Sequence, residues 1–212
     1  MAINKVLLLG HGEMGHAFEH LLHQRVQLTI WTRGAESAGG PTLQQAVVGV
    51  DALVFCLPVV AHAAVAKRLA ACLASETICI SIAKGLDEAG RPAAQILAEL
   101  LPHQPHVLMY GPMIAEEIIA GRAAFAQLGT TDAALAQRVA GLFRATPLYL
   151  QITTDIIGIS WAVILKNVYA ILFGAADQLA LGDNMRGHLM VGALAELSRI
   201  VQQMVSALSG SA

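Results

Sequence analysis

The chain has 212 residues, enough for one large domain or a domain with an appendage, and either can bury a core without disulfide staples. Only 13% of its residues are charged against 56% apolar, and the formal net charge is −2, which excludes a disordered chain and leaves no basic face for nucleic acid. Cys56, Cys72 and Cys79 are odd in number, have no metal-type spacing and sit in apolar runs, which predicts buried thiols in a reducing, cytoplasmic compartment.

The N-terminus holds one lysine before a short apolar run that ends at Gly10, less than the core of a secretory signal, so secretion is not expected. Strand and helix patterns then alternate, the signature of a parallel sheet with crossover helices. Near-continuous apolar runs at Val6–Gly10, Val26–Trp31, Ala52–Leu57, Thr77–Ile82 and Val107–Tyr110 suit strands covered on both faces. Helical patterns lie between them at Met14–His23, Ala61–Ala74 and Ala93–Leu101. Two later strands, Ala123–Leu128 and Leu148–Ile152, flank a helix at Ala133–Phe143 and complete a doubly wound α/β domain over residues 1–152.

At Thr153-Thr154-Asp155 the composition changes to a helix N-cap and a long apolar helix running towards Leu181. Gly182-Asp183-Asn184 breaks that helix and caps another from Met185 to Leu208, before a terminal Ser-Gly-Ser-Ala, so residues 153–212 read as a second, helical domain. Arg186, beside the break, is open between a neighbour of the cap and an anion contact. Ile156 to Phe173 is long enough to span a bilayer, but a charge such as Lys166 at its centre costs at least ~2.5 kcal/mol there, so a helix buried in protein is expected instead. Two helices this apolar cannot cover each other. A second subunit in a homodimer, the first domain, or a missing C-terminal segment is expected to do so.

Gly10-His11-Gly12-Glu13-Met14-Gly15 follows the first strand and opens the first helix, the context a GxGxxG match requires. The first glycine permits the tight turn, the second lets backbone approach a pyrophosphate, and the third lets helix pack on strand, which predicts a Rossmann site for NAD or NADP at the helix N-terminus. At the end of the second strand an NAD enzyme usually places an acid on the ribose, but here stand Trp31-Thr32-Arg33, with no acid before Glu36. A guanidinium suits a 2′-phosphate, so NADP is favoured and NAD stays open, since Arg33 could equally be a solvated charge or stack on adenine.

Three further segments lie where a site could form: Ser81-Ile82-Ala83-Lys84-Gly85, Gly111-Pro112-Met113-Ile114-Ala115-Glu116-Glu117, and Leu165-Lys166-Asn167. The first two follow strand C-termini, where ligands bind in open α/β sheets. The third places an amine in an apolar helix, where a desolvated lysine can exchange a proton with a substrate hydroxyl or, alternatively, snorkel to the rim.

Taken together, GHGEMG, WTR, CLPV, IAKGL, GPMIAEE and above all DIIGISWAVILKNVYAILFGAAD followed by LGDNMRGHLMVGALAELSRI resemble the NAD(P)-dependent glycerol-3-phosphate dehydrogenases over nearly the whole chain. The resemblance implies a Rossmann domain followed by a shortened helical substrate and dimerisation domain of the 6-phosphogluconate-dehydrogenase kind over residues 153–212. It implies cofactor contacts at Gly10, His11, Gly12, Glu13, Met14, Gly15, Thr32, Arg33, Pro58, Lys84 and Ala115, and substrate contacts at Lys84, Gly111 and Lys166. Lys166 is implied as the proton acceptor, with Lys84 and Asn167 in catalytic roles, and a small phosphorylated polyol as substrate.

Departures accompany the matches. Met113 stands where the family usually has a small hydroxyl residue, and Gln178 and Ala180 stand where glycines are usual. The Asp and Ser-Arg-Asn that grip substrate and phosphate in the family have no match here, so the chain is expected to be either a fragment of a longer enzyme or a reduced relative with another substrate. A reductase of similar build and a non-catalytic NADP-binding sensor remain as alternatives. His16, His20 and His23 have i, i+4, i+7 spacing on the first helix, but no carboxylate or cysteine completes them, so they read as solvent-facing and no metal site is expected. His62, His103, His106 and His188 suggest no role, and Glu117 fits either a loop at the nicotinamide or the dipole of a short helix.

Overall fold

The computed structural model describes residues 2–209 and contains two compact units, Met1–Ile156 and Ile157–Ala212. Of the terminal Ser-Gly-Ser-Ala, residues 210–212 lie outside the described residues.

In the first unit the strands β1 (Lys5–Leu9), β2 (Gln27–Trp31), β3 (Ala52–Phe55), β4 (Ile78–Ser81), β5 (His106–Tyr110), β6 (Ala124–Gly129) and β7 (Leu148–Thr153) form one sheet in the order β2-β1-β3-β4-β5-β6-β7. The helices are α1 (Glu13–Leu22), α2 (Arg33–Ser37), α3 (Leu43–Ala46), α4 (His62–Leu69), α5 (Ala93–Leu100), α6 (Ala115–Ile119) and α7 (Ala133–Leu142). Successive side chains on a strand point to opposite faces, and here both faces are covered. Val6, Leu8, Val54 and Ile80 pack in one buried cluster with Phe18 and Leu22 of α1. Leu7, Leu9, Leu53 and Phe55 pack in another with Leu43, Leu69 and Leu97. Three strands depart from this: the edge strand β2 alternates exposed and half-buried positions with only Trp31 buried, and β6 and β7 leave Phe125 and Tyr149 exposed.

Strands β1 to β5 run parallel, as the pattern predicts. Strand β6 does not: it pairs antiparallel with β5, and β7 runs parallel to β6. The connection explains the reversal. Helix α6 has five residues, about 7.5 Å of rise, too little to traverse the sheet, so the chain turns back at the edge where β5 ended. The reading of the thiols also needs correction. Cys79 is buried within β4, which pushes its thiol up to about 12, but Cys56 is half-buried, and Cys72 is exposed just past the end of α4, where an apolar run emerges into solvent.

The second unit contains α8 (Ile156–Gln178) and α9 (Gly182–Ser209). The break falls at 179–181, and Ala180 adopts φ +50, the left-handed conformation that glycine takes freely and alanine at a cost of about 1 kcal/mol. The glycine expected there is thus replaced by a strained alanine. Asp183 lies in the first turn of α9, and Arg186 is tied to Asp177 at 2.6 Å, which accounts for it without an anion. By length and composition α8 could cross a membrane. The expectation of a helix buried in protein is not met by this chain alone: Val168, Ile171 and Leu172 are exposed on α8, and Met190, Val191 and Leu194 on α9, because α8 carries more apolar surface than the mixed polar and apolar α9 can cover.

Candidate functional site

The winding of the sheet reverses at β1, which has β2 on one side and β3 on the other, so the crevice beyond the C-termini of β1 and β3 is the topological switch point. The glycine loop lies there. Gly10 has φ +97, donates its N–H to Trp31 O at 2.9 Å, and has no room for a side chain, since a Cβ would stand 2.8 Å from Cys56 O. A Cβ on Gly15 would meet Gly10 O at 2.6 Å, so that glycine lets α1 close onto the loop. Gly12 differs: nothing among the described residues comes within 4 Å of where its Cβ would stand. It is the N-cap of α1 and offers the first-turn amides no side-chain acceptor. Packing explains two of the glycines, while the third keeps space open over unsatisfied N–H groups, which is the cradle a dinucleotide pyrophosphate fits. Around it Met14 packs against the core, Glu13 is exposed in the first turn, and His11 is turned onto α1 by a 2.7 Å bond to Glu19.

At the end of β2, Thr32 caps α2 by accepting the Ala35 N–H, and Arg33 is exposed as the first helical residue. Glu36, the nearest acid, is engaged elsewhere. It accepts from Arg68 at 2.6 Å and from Trp31 Nε1 at 2.9 Å, and the Arg68 guanidinium holds its carboxyl below the usual range. Arg68 also lies 5.4 Å above the Trp31 ring. The nearest acid is therefore committed to a cluster, while Arg33 is exposed at the end of the strand.

The loops after β3 and β4 are joined by a residue that the sequence reading left without a role. His62 is fully buried, stacked 4.9 Å from Phe55, with Nδ1 3.2 Å from Pro58 O and Nε2 3.0 Å from Ser81 Oγ. A carbonyl only accepts, so Nδ1 carries the proton and Nε2 accepts from the Ser81 hydroxyl, whose oxygen accepts the Ala83 N–H. Burial lowers the His62 pKa to about 4 and keeps the ring neutral. The bridge fixes exposed Pro58 relative to the segment that carries half-buried Lys84. Its only sequence signal was a histidine opening an apolar helical pattern.

Beyond β5, a Cβ on Gly111 would overlap the Phe125 carbonyl and stand 2.6 Å from Ala126 Cα, so this glycine is required by the close approach of β6, whatever its backbone contacts. Met113, in place of a small hydroxyl residue, is buried in the core cluster with Ala115. Glu117 faces Arg122 at 3.5 Å. Residues 10–15, 33, 58, 84, 111 and 115 thus follow the C-termini of parallel strands of one sheet. Lys166 and Asn167 belong to α8 in the second unit and are exposed, so the premise of a desolvated amine is not met within this chain. Lys166 borders an apolar groove of about 220 Å³ between α8 and α9, with Tyr169, Phe173 and Met190.

Residues 38–136 match the family model for the N-terminus of NAD-dependent glycerol-3-phosphate dehydrogenase, and residues 155–212 match the model for its C-terminus. A glycerol-3-phosphate dehydrogenase (NAD(P)+) of Sphingopyxis alaskensis is 30% identical, over 92% of this chain and 66% of its own length. One from Agrobacterium fabrum is 35% identical, over 74% of this chain and 49% of its own. The chain therefore spans about half to two thirds of the length of the curated relatives it matches. The fold is that of the crystal structure of glycerol-3-phosphate dehydrogenase from Coxiella burnetii, with a TM-score of 0.85 at 22% identity over 94% of this chain and 69% of that one. A sheet wound about an open glycine cradle, followed by a helical segment matching the second family model, places this chain in the NAD-dependent glycerol-3-phosphate dehydrogenase family.

Proposed function

We propose that the chain acts in an NAD(P)-dependent oxidoreductase that interconverts glycerol 3-phosphate and dihydroxyacetone phosphate, with NADP preferred. The observation that carries this is the empty space over Gly12 at the uncapped start of α1, in a chain that matches both parts of the family. The dinucleotide, when bound, supplies or accepts the hydride. The first-turn amides of α1 hold its phosphates, and Arg33 faces the 2′-phosphate, an assignment supported by the engagement of Glu36 with Arg68. Lys84 offers a cation to the substrate, Lys166 accepts the hydroxyl proton, and Asn167 orients the oxygen. A homodimer that covers the exposed apolar side chains of α8 and α9, rather than a membrane, suits a helix with an amine at its centre. The exposed Cys72 thiol suits a reducing cytoplasm.

The test is NADPH oxidation by the 212-residue chain with dihydroxyacetone phosphate, compared with Lys166→Met. Turnover slow in the wild type and reduced by ~100-fold in the variant, the scale of a lost general base, is expected, with NADPH affinity retained. Turnover indifferent to Lys166, or failure of the wild type to bind NADPH, overturns the reading.

A further inference from the structure

The fold assembles a set of donors different from the three histidines spaced along α1. His16 and Glu19 lie one turn apart on the same face of that helix, and His11 reaches them from the glycine loop. Glu19 Oε2 is 2.7 Å from His11 Nε2 and 3.7 Å from His16 Nδ1. The two imidazole centres are 3.8 Å apart, and one donor atom from each of the three residues lies within 4.8 Å of the others. The carboxylate whose absence argued against a metal in the sequence is thus Glu19, and the second imidazole is His11 rather than His20. His23 takes no part, since its Nδ1 faces the backbone oxygens of Glu19 and His20.

Two imidazole nitrogens and one carboxylate oxygen are a borderline donor set, suited to zinc and poorly suited to magnesium or calcium, which favour oxygen. Donor atoms around a tetrahedral zinc ion are about 3.4 Å apart, given bonds of roughly 2.0–2.1 Å. The observed 2.7 and 3.7 Å fall either side of that separation, so small side-chain rotations suffice. Side-chain exposures of 29% for His11 and 39% for Glu19 leave an entry path and a fourth position for water.

We propose that His11, His16 and Glu19 form a zinc site that ties the glycine loop to the second turn of α1. On binding, the proton between His11 Nε2 and Glu19 moves to His11 Nδ1 or to solvent, and the lone pair of Nε2 goes to the ion. The experiment is calorimetric titration of the chelator-stripped full chain with zinc chloride at about pH 7.5, followed by the histidine C2–H resonances. One equivalent is expected to bind, moving the His11 and His16 resonances. His16→Ala and Glu19→Gln should each weaken binding by at least ~10-fold, the double variant should abolish it, and His20→Ala/His23→Ala should leave it unchanged. Circular dichroism establishes that each variant is folded. Absence of saturable uptake up to roughly 100 µM zinc, wild-type binding in the folded double variant, or loss in His20→Ala/His23→Ala overturns the site.

Discussion

The buried His62 bridge makes a quantitative prediction about acid. Its ring is neutral in the fold with a pKa of about 4, whereas the unfolded chain protonates at the ordinary 6.5. Between those values the unfolded state binds the extra proton, so the contribution to stability is fully present above pH 6.5 and is lost as pH falls towards 4. At about 1.4 kcal/mol per unit the full loss is about 3.5 kcal/mol, of which about 2.5 is gone at roughly pH 4.5. The perturbation is His62→Gln, whose amide can donate to Pro58 and accept from Ser81 but has no proton to gain. Urea unfolding is followed by the fluorescence of Trp31, which packs in the same buried cluster as Phe55 beneath the His62 ring, in a Trp161→Phe background. Between about pH 7 and pH 4.5 the wild type should lose about 2.5 kcal/mol more than the variant, a midpoint difference of roughly 1 M urea. Parallel pH dependence in the two proteins would refute the reasoning, because the other titrating groups are common to both.

Gly12→Val should leave the melting temperature nearly unchanged, since its Cβ has open space, yet abolish NADPH binding in calorimetry; wild-type affinity would remove the cradle from consideration. Gly111→Ala should do the opposite. Overlap with the backbone at Phe125 and Ala126 should cost at least about 2 kcal/mol in thermal unfolding, and an unchanged midpoint would show that β6 can withdraw freely. Arg33→Ala should weaken NADP about tenfold or more, the loss of one charge-assisted contact, and leave NAD nearly unaffected; equal losses would show that Arg33 does not read the 2′-phosphate.

The sheet and its glycine loop were legible because strands covered on both faces show as unbroken apolar runs, and because each glycine of the loop answers to a local constraint. The short helices α2 and α3 were not, since four or five residues carry no periodic signal. The antiparallel entry of β6 depends on the length of α6, which composition does not reveal. The engagement of Glu36 was hidden because Arg68, its partner, is 32 residues away on another helix. Lys166 was read as desolvated from the apolarity of α8, but apolar composition states what surface a helix has, not which chain supplies its cover. The His11–Glu19 contact depends on a loop reversal that brings together residues eight apart, a separation absent from helical spacing rules.

The cluster of Trp31, Glu36 and Arg68 also bears on how a family member could exchange one dinucleotide for the other over evolutionary time. If Arg33 meets the 2′-phosphate as proposed, removing it takes away that attraction but creates no acceptor for a ribose diol, because the nearby carboxylate stays held by Arg68 and Trp31. Releasing that carboxylate by losing Arg68 costs the stacked cation over the indole and sets a negative charge facing any 2′-phosphate while Arg33 is still present. Each single step is unrewarded alone. On that assignment the two positions would be epistatic, and a lineage would change cofactor here only by passing through an intermediate that serves neither nucleotide well.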